Sequence, residues 1–352
     1  MEILEGNGKQ VMKPCVATIG MFDGVHKGHR FVLAHVCDYA RKQGLQAMVI
    51  TFDRHPREVV QTDWRPLLLT TNEERLRLLA ETGIDYVKVL HFTPEMAGMS
   101  ARDFMVMMKE QLGVKVLLMG YDNRFGHDRQ ETFEDYVRYG EDIGMEVRQL
   151  PSLGQRSKVE GQRSKVEGQG PEVSSSMVRR LLAEGAVKEA AECLGYPYSI
   201  TGKVVKGEHI GTGLGYPTAN LQPNDPRKMI PAPGVYAVSV TVEGQRSEVE
   251  GQRSEVEGQR TKVEGQRTKV EGQRAKDIYM GMMNIGTRPT FGVHPQTLEV
   301  HILDYEGDLY GKEITVSFIK RLREERCFDN KEELKTQLEE DRRRVEELRI
   351  EN

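Results

Sequence analysis

The chain has 352 residues, and its 50 lysines and arginines nearly balance 54 aspartates and glutamates, for a net charge of -4. The length predicts two domains, and the charge balance argues against a general nucleic-acid-binding surface, which needs a basic excess. The four cysteines are far apart in the chain, which argues against a zinc site and a disulfide framework. The polar start and the lack of an apolar run of about 20 residues argue against a membrane span. We therefore expect a soluble cytoplasmic protein.

Strands and helices alternate through the first half of the chain. Strands are predicted at 15–22, 45–52, 84–90, 114–120 and 145–150, and helices at about 27–43, 71–83, 100–113 and 130–143. Gly44 ends the first helix, while Thr71 and Glu74 have capping-box spacing and Ser100 is a predicted N-cap. This alternation predicts an α/β domain whose parallel sheet is covered on both faces, with ligands beyond the carboxyl ends of its strands.

The pattern changes after a predicted helix at about 175–194. Short β-branched segments broken by Gly, Pro and Asp follow, starting near residues 198, 234, 277, 297 and 313. They predict an antiparallel barrel or sandwich, and a helix from about 330 to 348 closes the chain. We place the domains at 1–195 and 196–352.

Two segments, 154–169 and 244–276, repeat a seven-residue unit such as GQRSKVE. Each unit has one valine, whereas a coiled-coil seam needs two apolar residues per heptad, and its glycine weakens a helix. We predict that both segments are solvated insertions, which cost little because loop-closure entropy rises slowly with length.

The stretch MFDGVHKGHR, residues 21–30, joins the first strand to the first helix. Backbone N–H groups at such a turn favour an anion, and His26 and His29 could bind phosphate oxygens and stabilise a leaving group. The alternative, two surface histidines on a first helical turn, stays open on spacing alone.

Two further stretches suit the same site. In EVSSSMVRRLL, the residues Ser174, Ser175, Ser176 and Arg179 supply hydroxyls and a guanidinium at a helix start, although one serine could simply be an N-cap. Asp122, in GYDNRFG, lies near the expected ligand edge, and its alternative role is to stabilise a turn.

The segments TIGMFDGVHKGH, TFDRHPREVV, GYDNRFG and VSSSMVRRLL, in this order, resemble the FMN adenylyltransferase half of bacterial bifunctional riboflavin kinase/FAD synthetases. The resemblance implies a Rossmann-like nucleotidyltransferase domain in which the HxGH histidines and the serine-rich segment handle the ATP triphosphate. It assigns nucleotide or substrate binding to Phe22, Asp23, Gly24, Asp122, Ser174, Ser175, Ser176 and Arg179. Family members commonly have threonine at the position of Ser176 and often arginine at the position of Met177.

The second half contains GKVVKGEHIGTGLGYPTANL, whose glycines, Gly207 and Gly215 among them, could let backbone approach phosphates. Thr218 and Asn220 would share one face of an extended segment and offer oxygen ligands of the kind Mg²⁺ accepts. Glu299 alternates with apolar neighbours and could act as a base. A glycine-rich hairpin and a solvated strand carboxylate are the structural alternatives.

The segments GYPTAN, PGVYAV, GMMNIGTRPTFG, TLEVHILD and RLREERCFDNKEELKTQL resemble the riboflavin kinase module of the same family. The resemblance implies a small β-barrel with a C-terminal helix, Thr218 and Asn220 as Mg–ATP ligands, and Glu299 as the base that activates the riboflavin hydroxyl. It also places Arg323 near the flavin and puts Thr212 where arginine is usual.

The resulting hypothesis is a cytoplasmic enzyme that uses MgATP to convert riboflavin to FMN and FMN to FAD, with no nucleic acid or membrane as partner. Two alternatives stay open. The nucleotidyltransferase could use another phosphorylated acceptor, or the repeats could bind a partner while the catalytic domains are vestigial.

Overall fold

A computed structural model describes residues 1–7, 13–61, 63, 65–120, 123–127, 130–150, 173–207, 215–242, 278–287 and 296–351. Both repeat segments lie outside the described residues. The chain divides into two compact units, one formed by Met1–Tyr198 with Asp225–Ala232 and the other by Ser199–Asn224 with Pro233–Asn352. The domain limits expected from the sequence stay a prediction.

The first unit contains a six-stranded parallel sheet, which confirms the predicted α/β class. Its strands are β1 (Glu2–Glu5), β2 (Cys15–Ile19), β3 (Gln46–Phe52), β4 (Tyr86–Leu90), β5 (Val114–Met119) and β6 (Glu146–Gln149), in the spatial order β1-β4-β3-β2-β5-β6. The order reverses direction between β2 and β5, which is where ligands bind in open parallel sheets.

Helices cover both faces of this sheet. They are α1 (Lys27–Gln43), α2 (Pro56–Val60), α3 (Asn72–Ala80), α4 (Pro94–Ala97), α5 (Ala101–Leu112), α6 (Phe133–Ile143), α7 (Ser175–Ala183) and α8 (Val187–Leu194). Successive strand residues pack into different cores: Met48 and Ile50 with α5, and Val49 with α1. Two buried faces explain why these strands are continuous apolar runs.

Local signals set several helix boundaries. Gly44, at φ 65, ends α1, and the Thr71 hydroxyl accepts from the N–H of Glu74 in the expected capping box. The single helix predicted at about 175–194 is wrong, since α7 and α8 are separate. Gly185 lies between them at φ 76, a left-handed conformation that a continuing α-helix cannot contain.

The second unit is a closed six-stranded barrel, as predicted. Its strands are β7 (Ser199–Val205), β8 (Ala219–Pro223), β9 (Gly234–Val242), β10 (Ile278–Thr287), β11 (Gln296–Ile302) and β12 (Glu313–Arg323), in the order β10-β11-β8-β7-β12-β9. Helix α9 (Lys331–Glu351) packs Val345 against Met282, Ala237 and Leu303 on the outside of the barrel.

Candidate active sites

The turn after β2 has an unusual backbone. Phe22 and Val25 have φ values of 51° and 34°, and Gly24 between them has φ 83°. Positive φ is rare for non-glycine residues and exceptional for a β-branched one, so the turn is strained. A Cβ on Gly24 would lie 2.9 Å from Leu69 Cδ1, which leaves no room for a larger residue.

Side chains from distant parts of the first unit hold this turn. The Tyr196 hydroxyl donates to the Gly24 carbonyl at 2.5 Å, and the Ser175 hydroxyl donates to the Asp23 carbonyl at 2.9 Å. Arg75, which is buried, donates to the Met21 carbonyl at 3.1 Å. These bonds stabilise a backbone conformation that costs about 1–3 kcal/mol for each strained residue.

The two predicted phosphate-binding histidines lie together at the start of α1. His26 is the N-cap, and its Nδ1 accepts from the backbone N–H of His29 at 3.3 Å. The two rings stack, with centroids 3.6 Å apart and planes 18° apart, and Phe22 meets the His29 ring edge-on. The turn therefore fixes both imidazoles.

His29 has the features of an anion-binding group. Its Nδ1 is buried and has no hydrogen-bond partner among the described residues. Burial, followed by the charges of His26 and Arg75, lowers the pKa of His29 well below its ordinary value. The imidazole is therefore neutral in the free protein at neutral pH, and a neighbouring anion would favour its charged form.

Asp23 is engaged by protein groups. Its carboxylate accepts from the N–H groups of Leu69 at 3.1 Å and Thr70 at 2.9 Å, from the Thr70 hydroxyl at 3.0 Å and from the Arg179 guanidinium. Arg179 also donates to the Leu67 carbonyl at 2.7 Å. Asp23 thus links the turn to segment 67–70 and positions Arg179.

The three serines have different surroundings. Ser174 is the N-cap of α7, which is the alternative role suggested above for one of the serines. Its hydroxyl accepts from the N–H of Met177 at 3.2 Å. Ser175 supports the turn, and exposed Ser176 lines a cavity together with Ser175 and Arg179. The structure therefore brings Ser176 and Arg179 to one surface.

That cavity has a volume of about 520 Å³, within the range of ligand sites, and lies at the carboxyl ends of β2 and β3. Its apolar lining includes Met21, Phe52, Phe92, Met96, Met99, Phe104 and Phe125. Its polar lining includes Asp23, His55, Arg57, Asn123, Arg124 and Ser176. Asp122 lies outside the described residues.

Sequence reasoning did not single out Arg75, Thr70, Tyr196 or Arg57. The first three act on the turn through tertiary hydrogen bonds, and such contacts leave no periodic or spacing signal. Arg57 lies in TFDRHPREVV, one of the segments that carried the family resemblance. A basic residue in the first turn of the helix that follows β3 was the available signal.

In the barrel, Glu299 lies between two amides. On β11 it pairs in register with Asn220 of β8 on one side and with Asn284 of β10 on the other. Leu298 and Val300 are buried, so Glu299 and its two partners lie on the opposite, outer face. Glu299 and Asn220 are therefore neighbours, and Asn284 lies on the other side of Glu299.

Gly207 lies directly against Asn220, since a Cβ at this position would overlap the Asn220 amide group. Thr218, which is half-buried, immediately precedes β8, and Gly215 has φ 83°. His301 Nδ1 is 2.9 Å from the Pro217 carbonyl oxygen, which fixes the chain just before Thr218. Segment 208–214, with Thr212, lies outside the described residues.

If the barrel has the riboflavin kinase activity that the family resemblance implies, we expect Gly207→Ala to reduce it by at least tenfold, because the new methyl group displaces the Asn220 amide. Gly207 does not have a positive φ, so the substitution tests space alone. Steady-state kinetics with each substrate would measure the loss. Gly98→Ala, whose Cβ would meet only ordinary contacts of 3.5 Å and more, is the matched control, and equal kinetics in both variants would contradict the argument.

Arg323 has a structural partner. Its Nε and a terminal nitrogen each lie 2.9 Å from Asp341 Oδ2, and Asp341, on α9, is fully buried. Gln337 donates to the same carboxylate at 3.0 Å. Arg323 pairs in register with Val235 of β9, which pairs with Asn284 of β10. Asn284 in turn pairs with Glu299, so Arg323 and Glu299 are three strand spacings, or about 14 Å, apart along the sheet.

Within the described ranges, no group of three His, Cys, Asp or Glu side chains could hold a metal ion unaided. The Thr218 and Asn220 oxygens fit Mg²⁺ only in its usual partnership with substrate phosphates and water. No helix in the part of the chain that the structure describes is long and apolar enough to span a bilayer.

Comparisons with known proteins match the two parts of the chain to two families. A family model described as FAD synthetase matches residues 8–163, and one described as riboflavin kinase matches residues 194–349. The bifunctional riboflavin kinase/FMN adenylyltransferase of Escherichia coli K12 is 35% identical over 93% of this chain and 90% of its own length. The Pseudomonas fluorescens protein of the same name is 34% identical over 97% and 96%.

A solved structure supports the fold. A Streptococcus pneumoniae protein described as a macrolide-efflux protein superposes with a TM-score of 0.78, at 28% identity and 98% coverage of both chains. The description as an efflux protein applies to that protein and not to this chain.

Proposed function

Since the chain belongs to the family of bifunctional riboflavin kinase/FMN adenylyltransferases and carries both activities, we propose that each compact unit performs one of its two reactions. The barrel phosphorylates riboflavin to FMN, and the first unit transfers AMP from ATP to FMN. The observation that carries the assignment is the pair of separate sites, one at the strained turn and one along the row Asn220–Glu299–Asn284.

In the first unit, the FMN phosphate attacks the α-phosphorus of ATP, and pyrophosphate leaves. A P–O bond forms to FMN as the bond to the β-phosphate breaks, and no covalent enzyme intermediate is needed. His26, His29 and the α1 N-terminus stabilise the charge on the departing pyrophosphate. Ser176 and Arg179 bind the triphosphate, while Asp23 holds Arg179 in place.

In the barrel, the 5′-oxygen of riboflavin attacks the γ-phosphorus of ATP, and ADP leaves. Glu299 accepts the proton of the riboflavin 5′-hydroxyl during this attack. Asn220 and Thr218 would hold Mg²⁺, which neutralises phosphate charge when bound. Asn284 lies on the other side of Glu299 in register. Arg323 acts on this site through α9, which it ties to the barrel.

The whole assignment is tested by incubating the purified chain with riboflavin and MgATP and separating the flavins by chromatography. We expect FMN to appear first and FAD to follow, and EDTA to stop both steps. Adenylylation of a different phosphorylated acceptor in preference to FMN would favour the alternative nucleotidyltransferase. We expect a chain that lacks both repeat segments to keep both activities. If the repeats bind a partner, the same deletion would abolish that binding.

Nucleotide binding to the first unit should take up protons. The pKa of His29 is lowered by burial and by His26 and Arg75, so the free imidazole is neutral above about pH 6.5. The negative triphosphate favours the imidazolium and raises that pKa, so uptake should be largest between the pKa values of the free and the bound imidazole and should vanish at a pH well above both. Calorimetry with a non-hydrolysable ATP analogue, in buffers of different ionisation enthalpy, measures it.

His29→Gln is the control for this titration, since glutamine keeps polarity without a titratable group. Uptake of the same size in His29→Gln would show that another group titrates.

A further inference from the structure

Two cations next to each other in the chain bind the first turns of two helices. Arg227 and Lys228 lie between barrel strands β8 and β9, yet segment 225–232 belongs to the first compact unit. Arg227 donates to Glu58 at 3.1 Å, and Lys228 donates to Glu74 at 2.5 Å. Glu58 and Glu74 are the third residues of α2 and α3.

Each of these carboxylates also completes a capping box. Glu58 accepts from the backbone N–H of His55 at 3.3 Å, and Glu74 accepts from that of Thr71 at 2.9 Å. A capping box ties the N-cap residue to the first turn of its helix through two reciprocal hydrogen bonds to backbone N–H groups. The two cations therefore hold the segments that lead into α2 and α3.

Those segments form walls of the cavity in the first unit. His55 and Arg57, at the start of α2, line it directly, as do Pro66 and Leu67 on the segment before α3. The backbone adds a second tie at the same place. Leu68 N–H donates to the Arg227 carbonyl at 2.7 Å, and Met229 N–H donates to the Leu68 carbonyl at 2.8 Å.

Lys228 is also linked to the triphosphate-binding groups. Its ammonium donates to the Leu69 carbonyl at 2.7 Å, and the Leu69 N–H donates to Asp23. Asp23 in turn holds Arg179. Lys228 is 3% exposed, and its ammonium lies 4.8 Å from the Tyr198 ring centroid, so the side chain at the start of this path is enclosed by the protein.

We propose that Arg227 and Lys228 are positioning residues for adenylyl transfer, supplied to the nucleotide site by the connection between two strands of the kinase barrel. The proposal rests on the proposed function of the cavity. Arg227 sets the α2 wall through Glu58, and Lys228 sets segment 69–71, and with it Asp23 and Arg179. Neither side chain needs to touch the substrates.

The test measures kcat and KM of the full-length chain for ATP and FMN. We expect Lys228→Met to raise KM for ATP by about tenfold, and Arg227→Met to raise KM for ATP or FMN by about threefold or more. Riboflavin phosphorylation by the same preparations should stay within about twofold of the unsubstituted chain. Lys188→Met, an exposed lysine of α8, is the matched control.

A purely structural role gives a different result, since loss of folded protein lowers apparent kcat and leaves KM unchanged. Arg227→Lys, which can still reach Glu58, should bring KM back towards its original value. Glu58→Gln should raise KM in the same direction as Arg227→Met, and the two effects should be less than additive in the double variant, because both variants weaken the Arg227–Glu58 contact. Arg227→Met also removes the contacts of Arg227 with Asp225, so its effect should be the larger of the two.

If Lys228→Met does not fold, the half-exposed Arg227 decides the question. Unchanged KM for both substrates in folded Arg227→Met would overturn the proposal. An unsubstituted chain that makes no FAD would instead refute the function proposed for the cavity.

Discussion

Replacing His29 with alanine should lower FAD formation from FMN and ATP by about 10²–10³-fold, while FMN formation from riboflavin continues. His29 has a buried Nδ1 without a partner in the described part of the chain, on a ring stacked against His26. An imidazole held in this way becomes charged when the triphosphate binds, and its charge then stabilises the pyrophosphate that departs. Separate assays of the two reactions would measure the effect.

His35→Ala is the matched control, because His35 lies two turns further along α1 and its Nδ1 is 2.9 Å from the Phe31 carbonyl oxygen. This variant should keep both activities. If folded His29→Ala lost riboflavin phosphorylation as well, the two reactions would share a site, and the separation into two sites would fail.

The sequence was sufficient where structure depends on neighbouring residues. Helix α1 was predicted with its observed limits because an apolar stripe ends at Gly44, and the capping box at Thr71 and Glu74 was predicted from spacing alone. The split between α7 and α8 was missed although Gly185 was visible, since one glycine in a helical pattern is usually tolerated.

The candidate sites also combine features set by neighbouring residues with features set by residues distant in the chain. That His26 and His29 share a turn follows from their spacing, whereas the pairing of Glu299 with Asn220 was not predicted, because register between strands distant in the chain is not visible in the sequence. The strained turn that contains Phe22 and Val25, by contrast, is held by hydrogen-bond donors distant in sequence. No local preference favours positive φ at a valine, so a sequence pattern cannot reveal it.

Segment 225–232 is the clearest case of information that sequence patterns lack. It lies between two barrel strands, and a domain boundary drawn at one point in the chain assigns it to the barrel. Its contacts with Leu68, Glu58 and Glu74 place it in the other unit. Arginine and lysine in a loop are ordinarily solvated, and only the fold shows that Lys228 is buried.

Replacing Glu299 with alanine should have the opposite effect to His29→Ala. We expect riboflavin phosphorylation to fall by about 10²–10⁴-fold, the usual contribution of a general base, while supplied FMN is still converted to FAD. Its register neighbours Asn220 and Asn284 are amides, so neither can accept the hydroxyl proton in its place. Product analysis starting from riboflavin and, separately, from FMN distinguishes the two steps.

The isosteric variant Glu299→Gln separates proton transfer from packing. Glutamine fills the same space between the two asparagines but cannot serve as a base, so it should be nearly as inactive as alanine and should fold as the original chain does. Glu306→Gln, in the exposed loop after β11, controls for loss of one negative charge from the barrel. A Glu299→Gln chain that phosphorylates riboflavin at close to the original rate would show that this carboxylate only fills space in the strand, and the base would have to be sought elsewhere.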